Sequence, residues 1–132
     1  MGRVEELGIS DKVEFVGFVE NVFDYLVCAD VFVHPNKLPE PLGLVFMEAL
    51  FAGIPVVATD IGGAKEILEM QPEKMGDLVP PSDVNALSLV LQKYIEAKEY
   101  RLQITNNIKE GFVNSLDPGK SMKKLSLILK SL

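Results

Sequence analysis

The sequence predicts an α/β fold built on a doubly wound parallel sheet, and three observations support this prediction. Strand-like and helix-like stretches alternate as far as residue 97, which is the order of βαβ units. Residues 31–33 and 55–58 are short apolar runs without polar alternation, typical of strands buried on both faces. The chain has 132 residues, of which 48% are hydrophobic, enough for one domain with a sizeable core. We expect about four strands, flanking helices and a helical C-terminus over residues 98–132.

The individual elements are predicted from apolar spacing and from the residues at their ends. Strands are expected at residues 12–18, 31–33, 55–58 and 76–79. Helices are expected at residues 22–29, 44–52, 64–69, 84–97, 98–113 and 118–131. Asn, Ser and Asp side chains can accept a hydrogen bond from the first turn of a helix. We therefore predict N-caps at Asn21, at Ser82 or Asp83, and at Asp117.

Composition excludes several classes of function. The formal net charge of −6 and the lack of a basic cluster argue against nucleic acid as a partner. One His and one Cys are too few for a zinc site, and Cys28 cannot form an internal disulfide. Cys28 lies in an apolar helix-like stretch and is predicted to be a small core residue. We find no membrane-length apolar run and no signal peptide, so we expect a cytoplasmic protein without a metal or cofactor.

The stretch from Glu40 to Glu48 is the predicted site. Pro41 suits the first position of a helix, so the unpaired N–H groups fall at Leu42, Gly43 and Leu44. Those groups and the helix dipole attract an anion. The helix that follows is apolar almost all round, which predicts that it is buried. Glu48 would then be a buried carboxylate that needs a partner, and we hypothesise that the partner is a ligand.

The spacing of the two carboxylates suits a sugar nucleotide. Eight helical positions correspond to about 12 Å of rise, the order of length of a diphosphate flanked by a hexose and a ribose. Glu40 would accept hydrogen bonds from sugar hydroxyls, and Glu48 from the ribose diol, with the diphosphate between them. The pair is too far apart for a glycosidase, whose two carboxylates lie about 5 to 9.5 Å apart.

These residues belong to a longer recognisable pattern. The stretch PNKLPEPLGLVFMEALFAGIPVVATDIGGAKEIL resembles the signature of the retaining family 4 glycosyltransferases, in the C-terminal half of their GT-B fold. VEFVGFV, YLVCADVFVHP and GDLVPPSD resemble the same family, so the likeness covers nearly the whole chain. It implies a Rossmann-like domain over residues 1–132 that binds a nucleotide-diphospho-sugar. It also implies a place in polysaccharide biosynthesis.

The resemblance implies a role for each matching residue. Glu40 would contact the transferred sugar at the catalytic centre, and Glu48 the ribose. The implied donor-binding residues are Glu40, Pro41, Leu42, Gly43, Leu44, Val45 and Glu48. Gly17, Phe18 and Val19 would border the nucleobase. His34 and Asn36 are further candidates from the loop after the 31–33 strand. The implied reaction transfers a hexosyl group to an acceptor hydroxyl with retention, without a metal.

The sequence departs from the family in what it lacks. We find no counterpart of the N-terminal, acceptor-binding domain, nor of the Gly-Arg strand end and Lys that grip the diphosphate. We therefore expect a truncated donor-binding half, inactive alone, whose glycan or lipid-linked acceptor binds through the missing domain. The alternative is a non-catalytic nucleotide-binding module or an inactive fragment. An open sheet edge or the amphipathic C-terminal stretch would favour a homodimer. Peripheral membrane association of the full-length protein is a further expectation.

Overall fold

A computed structural model describes residues 2–39 and 44–113 of the chain, with the side chain of residue 113 excepted. The helices are α1 (Gly2–Glu6), α2 (Phe23–Leu26), α3 (Leu44–Phe51), α4 (Ala64–Leu68), α5 (Val84–Glu96) and α6 (Lys98–Asn107). The strands are β1 (Phe32–His34), β2 (Val56–Thr59) and β3 (Gly76–Val79). A 3₁₀ turn spans Ser10–Lys12, and a π-helical segment, Ile108–Val113, continues α6.

The three strands form one parallel sheet in the order β1-β2-β3. All four residues of β2 are buried, as expected for a central strand covered on both faces. The core continues from the sheet into α3, α4, α5 and α6 through Leu50, Ile67, Tyr94 and Ile104. The predicted α/β architecture is confirmed, with three strands rather than about four within the described residues.

The predicted strand at residues 12–18 is wrong. Residues 13–17 belong to no helix or sheet among the described residues, and β1 pairs there only with β2. The ring of Phe18 is 96% exposed. An alternating pattern shows which side chains share a face, but a strand also needs a backbone partner, and nothing local in the sequence provides one.

The predicted burial of the central helix is also wrong. α3 buries Phe46, Ala49 and Leu50, whereas Glu48 is exposed and Leu44 is 57% exposed. The sheet and neighbouring helices cover one face of α3, and single exposed apolar side chains are common on protein surfaces. The Glu48 carboxylate therefore lies in solvent and needs no buried partner.

The region of α2 differs from its prediction in length and in burial. The helix has four residues instead of the eight expected at 22–29, and its buried residue is Leu26. Cys28 follows the helix and is exposed, so its predicted place in the core is wrong. The N-cap of α2 is Val22 rather than the predicted Asn21, although the Oδ1 of Asn21 accepts a hydrogen bond of 3.2 Å from the backbone N–H of Phe23.

A single carboxylate joins β3 to the last two helices. Asp77 accepts hydrogen bonds from the hydroxyls of Tyr94 on α5 (2.8 Å) and Tyr100 on α6 (2.7 Å), and it pairs with Lys74. Burial alone would raise the pKa of Asp77, but the hydrogen bonds from Lys74, Tyr100 and Tyr94 lower it below its ordinary value. Burial and the nearby Asp77 charge raise the pKa of Tyr94.

The remaining helical predictions agree with the structure up to residue 113. Asp83 is the N-cap of α5, because its Oδ1 accepts from the backbone N–H of Ala86 at 2.9 Å. The helix predicted at 98–113 is α6 and its π-helical continuation. The helix predicted at 118–131, with its cap Asp117, lies outside the described residues. Within the described ranges, no helix has the length and apolarity needed to cross a bilayer.

Candidate functional site at the carboxyl edge of the sheet

The carboxyl ends of the three strands meet at one edge of the sheet because the strands are parallel. The strands end at His34, Thr59 and Val79, and Thr59 is in register with Val79. Three loops therefore leave the sheet side by side. Open α/β sheets bind ligands at this edge. The loops after β1, β2 and β3 therefore converge at this edge.

Hydrogen bonds tie the three loops together. The Thr59 hydroxyl donates to the backbone carbonyl of Asn36 at 2.8 Å, which joins the loop after β1 to the end of β2. The backbone N–H of Asp60 donates to the carbonyl of Val79 at 2.8 Å, which joins the loop after β2 to the end of β3. The edge is thus held by bonds between strand ends as well as by the sheet itself.

His34 packs between the sheet and α3. Its ring lies 4.8 Å from the ring of Phe46 in an edge-on arrangement, and 5.9 Å from that of Phe32 in a stacked one. Aromatic pairs at these distances stabilise packing. Since Phe46 is buried on α3, this contact fixes the helix against β1 and so positions the face that carries Glu48.

The predicted donor-binding residues fall into a part that the structure describes and a part that it does not. Glu40, Pro41, Leu42 and Gly43 lie outside the described residues. Leu44, Val45 and Glu48 lie on α3, where Val45 is half-buried and the other two are exposed. Residues four apart lie on the same side of a helix. Leu44 and Glu48 therefore share one solvent-facing stripe that begins at the first turn of α3.

The predicted nucleobase-adjacent residues precede α2, which itself packs against α3. Gly17 has φ +71°, a left-handed conformation that favours glycine, and Phe18 and Val19 follow it. The backbone turns there, and the ring of Phe18 stands in solvent.

A small cavity of about 140 Å³ lies between the loops at the carboxyl edge. Its described lining residues come from all three loops and the start of α5: Pro35, Lys37, Thr59, Val79, Pro80, Ser82, Asp83, Val84 and Leu87. We refer to it as the edge cavity. Ser82 adopts φ 60°, the one left-handed non-glycine residue among those described.

A larger cavity of about 450 Å³ lies beside β3 and the segment that leads into it. It is lined by Leu68, Glu69, Gln71, Pro72, Glu73, Lys74, Gly76, Asp77 and Leu78. Because it reaches the start of β3 rather than its end, it is separate from the loops that carry the predicted site. The described residues contain no group of His, Cys, Asp and Glu that could hold a metal ion.

Comparison with known proteins identifies the family. A sequence profile described as "Glycosyl transferases group 1" matches residues 2–111, which is most of the chain. The chain belongs to this family. The resemblance expected from the sequence is thus confirmed, and so is the α/β fold that it implies.

Individual glycosyltransferases resemble parts or all of the chain. The lipopolysaccharide core biosynthesis mannosyltransferase LpsB of Rhizobium meliloti is 36% identical over 64% of this chain and 24% of its own length. A sucrose-phosphate synthase from Thermosynechococcus elongatus superposes with TM-score 0.76 and 34% identity, covering 98% of this chain and 33% of that one.

Anabaena HepE, which was solved in complex with UDP and with UDP-glucose, also resembles this chain in structure. The UDP complex superposes with TM-score 0.80 and 28% identity, covering 99% of this chain and 35% of that one. The chain thus spans about a quarter to a third of the length of these glycosyltransferases.

Sequence reasoning overlooked the third loop of this glycosyltransferase domain. The sequence predicts a strand at 76–79 and a helix cap at Ser82 or Asp83, without placing the loop between them at the site. The signal was present, because a parallel β3 must end at the same edge as β1 and β2. Lys37, Thr59 and Ser82 therefore join the predicted residues at the edge.

Proposed function

We propose that this chain is the donor-binding half of a retaining glycosyltransferase that transfers a hexosyl group from a nucleotide-diphospho-sugar to an acceptor hydroxyl. The observation that carries the proposal is the position of α3, with Glu48 exposed on it and His34 holding it against the sheet. The UDP and UDP-glucose complexes of Anabaena HepE support this class of donor.

The proposed donor lies along the start of α3. The first N–H groups of a helix lack intrahelical partners and, with the helix dipole, attract phosphate. Backbone at Gly43, Leu44 and Val45 would hold the diphosphate and favour the charge that develops on it as it leaves. Glu40 would hold the transferred sugar at the reacting centre, with Pro41 and Leu42 fixing the start of the helix.

Glu48 is proposed to bind the ribose. Its carboxylate is in solvent, and helical side chains lean toward the N-terminus, so it can reach back along α3 toward the diphosphate. Two ribose hydroxyls donating to one carboxylate make charge-assisted hydrogen bonds, which are roughly twice as strong as neutral ones. Gly17, Phe18 and Val19 would border the nucleobase, and His34 and Asn36 would contact the donor from the loop after β1.

The acceptor is proposed to be a glycan or lipid-linked sugar in polysaccharide biosynthesis, delivered by a separate acceptor-binding domain. The names of relatives such as LpsB support that class of product. An isolated donor-binding half would bind the donor without completing the transfer. A non-catalytic nucleotide-binding module is the second candidate.

Calorimetric titration of the 132-residue chain with UDP, GDP and ADP tests the proposed donor site. We expect one nucleotide to bind, and Glu48→Ala to weaken its affinity about tenfold through loss of the charge-assisted bonds. Glu40→Ala should lower the affinity for the nucleotide-sugar and leave the affinity for the free nucleotide unchanged. Glu99→Ala, an exposed helical carboxylate on α6, is the matched control. Absence of binding at millimolar nucleotide contradicts the donor site.

Enzymatic function requires a longer protein. Joining this chain to an acceptor-binding domain of a relative and measuring sugar transfer distinguishes an enzyme from a binding module. Transfer that depends on Glu40 supports the enzyme. Nucleotide binding without transfer in a well-folded fusion supports the module.

A further inference from the structure

The larger of the two cavities has the size of a small-molecule site. Its volume is about 450 Å³, within the range of about 300 to 1,000 Å³ that is typical of ligand pockets. It lies between the segment that follows α4 and β3 itself, so it is at the end of the sheet opposite the carboxyl edge. We refer to it as the β3 cavity.

The segment that walls the β3 cavity is anchored to the C-terminal helices. The Nδ2 of Asn107 on α6 donates a hydrogen bond of 3.0 Å to the backbone carbonyl of Lys74. A Cβ placed at Gly111 would lie 3.3 Å from the Oε2 of Glu73, so that carboxylate lies beside the π-helical segment. The wall is therefore held in position before any ligand binds, which lowers the entropic cost of binding.

The charges of the lining favour a cationic ligand. Glu69, Glu73 and Asp77 contribute three carboxylates, and Lys74 contributes one ammonium group, which leaves a net charge of −2. Lys74 pairs with Asp77, so the cavity already accommodates one ammonium group beside a carboxylate. Glu69 and Glu73 are exposed and form no ion pair with another described residue.

The rest of the lining favours an organic cation with an aliphatic body. Leu68 belongs to the core, Leu78 packs against it, and Pro72 is exposed. Methylene groups gain free energy when such a wall removes them from water. The described residues contain no group of carboxylates that could close on one metal ion, so these separate carboxylates suit separate charges on one chain.

We propose that the β3 cavity binds a linear aliphatic diamine or polyamine, with its methylene chain on Leu68 and Leu78 and its ammonium groups on Glu69 and Glu73. Ammonium groups donate charge-assisted hydrogen bonds to carboxylates, and these are stronger than neutral ones. None of the lining residues belongs to the proposed donor site, so failure of either proposal leaves the other standing.

Amide NMR of the 132-residue chain with 1,4-diaminobutane tests the site directly. We expect the amide signals of Gln71, Glu73 and Leu78 to shift with a dissociation constant of about 1 to 10 mM, which corresponds to a few weak contacts. Added salt should weaken the binding, because it screens exposed charges. 1,4-Butanediol, which has the same carbon chain without charges, should leave the signals unchanged. Unchanged signals with the diamine, or equal shifts with the diol, would overturn the proposal.

Removal of the two unpaired carboxylates tests their role. Glu69→Gln combined with Glu73→Gln should weaken diamine binding about tenfold, since each exposed ion pair contributes modestly. Glu14→Gln combined with Glu20→Gln is the matched control, because these exposed positions lie outside the cavity and the change in net charge is the same. Equal weakening in both double variants would assign the binding to the overall negative charge of the chain and refute the site.

Removal of the internal ammonium group should have the opposite effect. Lys74→Met makes the lining more negative and leaves Asp77 without its ion pair, so the diamine should bind about three- to fivefold more tightly. Lys98→Met on α6 changes the net charge equally and should leave the affinity unchanged. Unchanged or weaker binding in Lys74→Met would contradict the placement of the ligand in this cavity.

Discussion

Asp77 joins the last strand of the sheet to two helices through one carboxylate. Its side chain is 16% exposed and accepts from two tyrosine hydroxyls, with Lys74 beside it. Lys93 adds a further contact, with its ammonium nitrogen 3.5 Å from the centre of the Tyr100 ring. The three donors offset the cost of partly burying this carboxylate, and loss of any one of them leaves part of that cost uncompensated.

Asp77→Asn should therefore lower the free energy of unfolding by about 2 kcal/mol, since hydrogen bonds to a charged acceptor are each worth about 1.5 to 3 kcal/mol. Urea unfolding at neutral pH measures this change. Asp24→Asn, at an exposed position on α2, is the control and should leave stability within about 0.5 kcal/mol. Equal stability of Asp77→Asn and parent would contradict the assigned role.

The lowered pKa of Asp77 also predicts how stability depends on pH. A carboxyl whose pKa is lower in the folded state contributes stability above its unfolded pKa, near 3.8, and loses it as pH falls through the folded pKa. Stability of the parent should thus fall below about pH 4 more steeply than that of Asp77→Asn. Urea midpoints measured from pH 6 down to about pH 2.5 check this difference.

Local chemistry explains which residues the sequence predicted correctly. Asp83 and Asn21 accept hydrogen bonds from backbone groups two or three positions away, so the local sequence is enough to predict these contacts. The burial of Glu48 and Cys28 depends on which distant elements cover them, and the residues next to them in sequence do not determine this. The roles of Glu48, Glu40 and the other donor-binding residues stay predictions.

At the scale of elements, the buried strands were predicted best. The expected strand at 55–58 corresponds to β2 (Val56–Thr59), because a continuous apolar run between turn residues has few other solutions. The expected strand at 76–79 is β3 (Gly76–Val79). The expected 12–18 strand failed because pairing is a non-local property. Parallel topology brings the loops after β1 and β2 to the carboxyl edge, and the same topology, already predicted for residues 76–79, brings the loop after β3 there as well.

The contact between β3 and β2 requires a glycine at its first residue. A Cβ added to Gly76 would overlap the carbonyl oxygen of Val56, which belongs to the backbone of the paired strand. Gly76→Ala should therefore separate the strands and destabilise the fold by about 3 kcal/mol or more. Gly63→Ala is the matched control, because a Cβ there meets nothing within 4 Å.

Thermal or urea unfolding of the two glycine variants measures this difference. Gly63→Ala should stay within about 1 kcal/mol of the parent, since its φ of −80° is accessible to alanine. Similar losses in both variants would show that backbone flexibility, rather than the close strand contact, determines the effect at Gly76.

At the scale of the whole molecule, the sheet and the helices share one core. Tyr94, Ile104 and Phe112 come from α5, α6 and the π-helical segment, and they join the same buried cluster as the strands. We therefore predict that the chain unfolds as a single cooperative unit, consistent with one domain over residues 1–132. The proposed homodimer remains a prediction.

Far-ultraviolet circular dichroism and tyrosine fluorescence check cooperativity in the same urea titration. The chain has no tryptophan and three tyrosines, so in a Tyr25→Phe variant the fluorescence comes from Tyr94 on α5 and Tyr100 on α6, while dichroism reports on all helices. The two transitions should coincide. A tyrosine transition at lower urea would mean that α5 and α6 detach before the sheet, and that the chain contains two folding units.

The hydrogen bond from Thr59 to Asn36 has a consequence for how this edge can diversify. Its acceptor is a main-chain carbonyl, which every amino acid possesses, so this bond itself does not depend on the side chain at residue 36. The main-chain group that holds the loop in place is thus distinct from the side chains that can contact a ligand. Substitutions of the exposed Lys37 can alter which ligand is recognised while the bond to the carbonyl of residue 36 stays in place, so a library randomised at position 37 should retain the parent backbone.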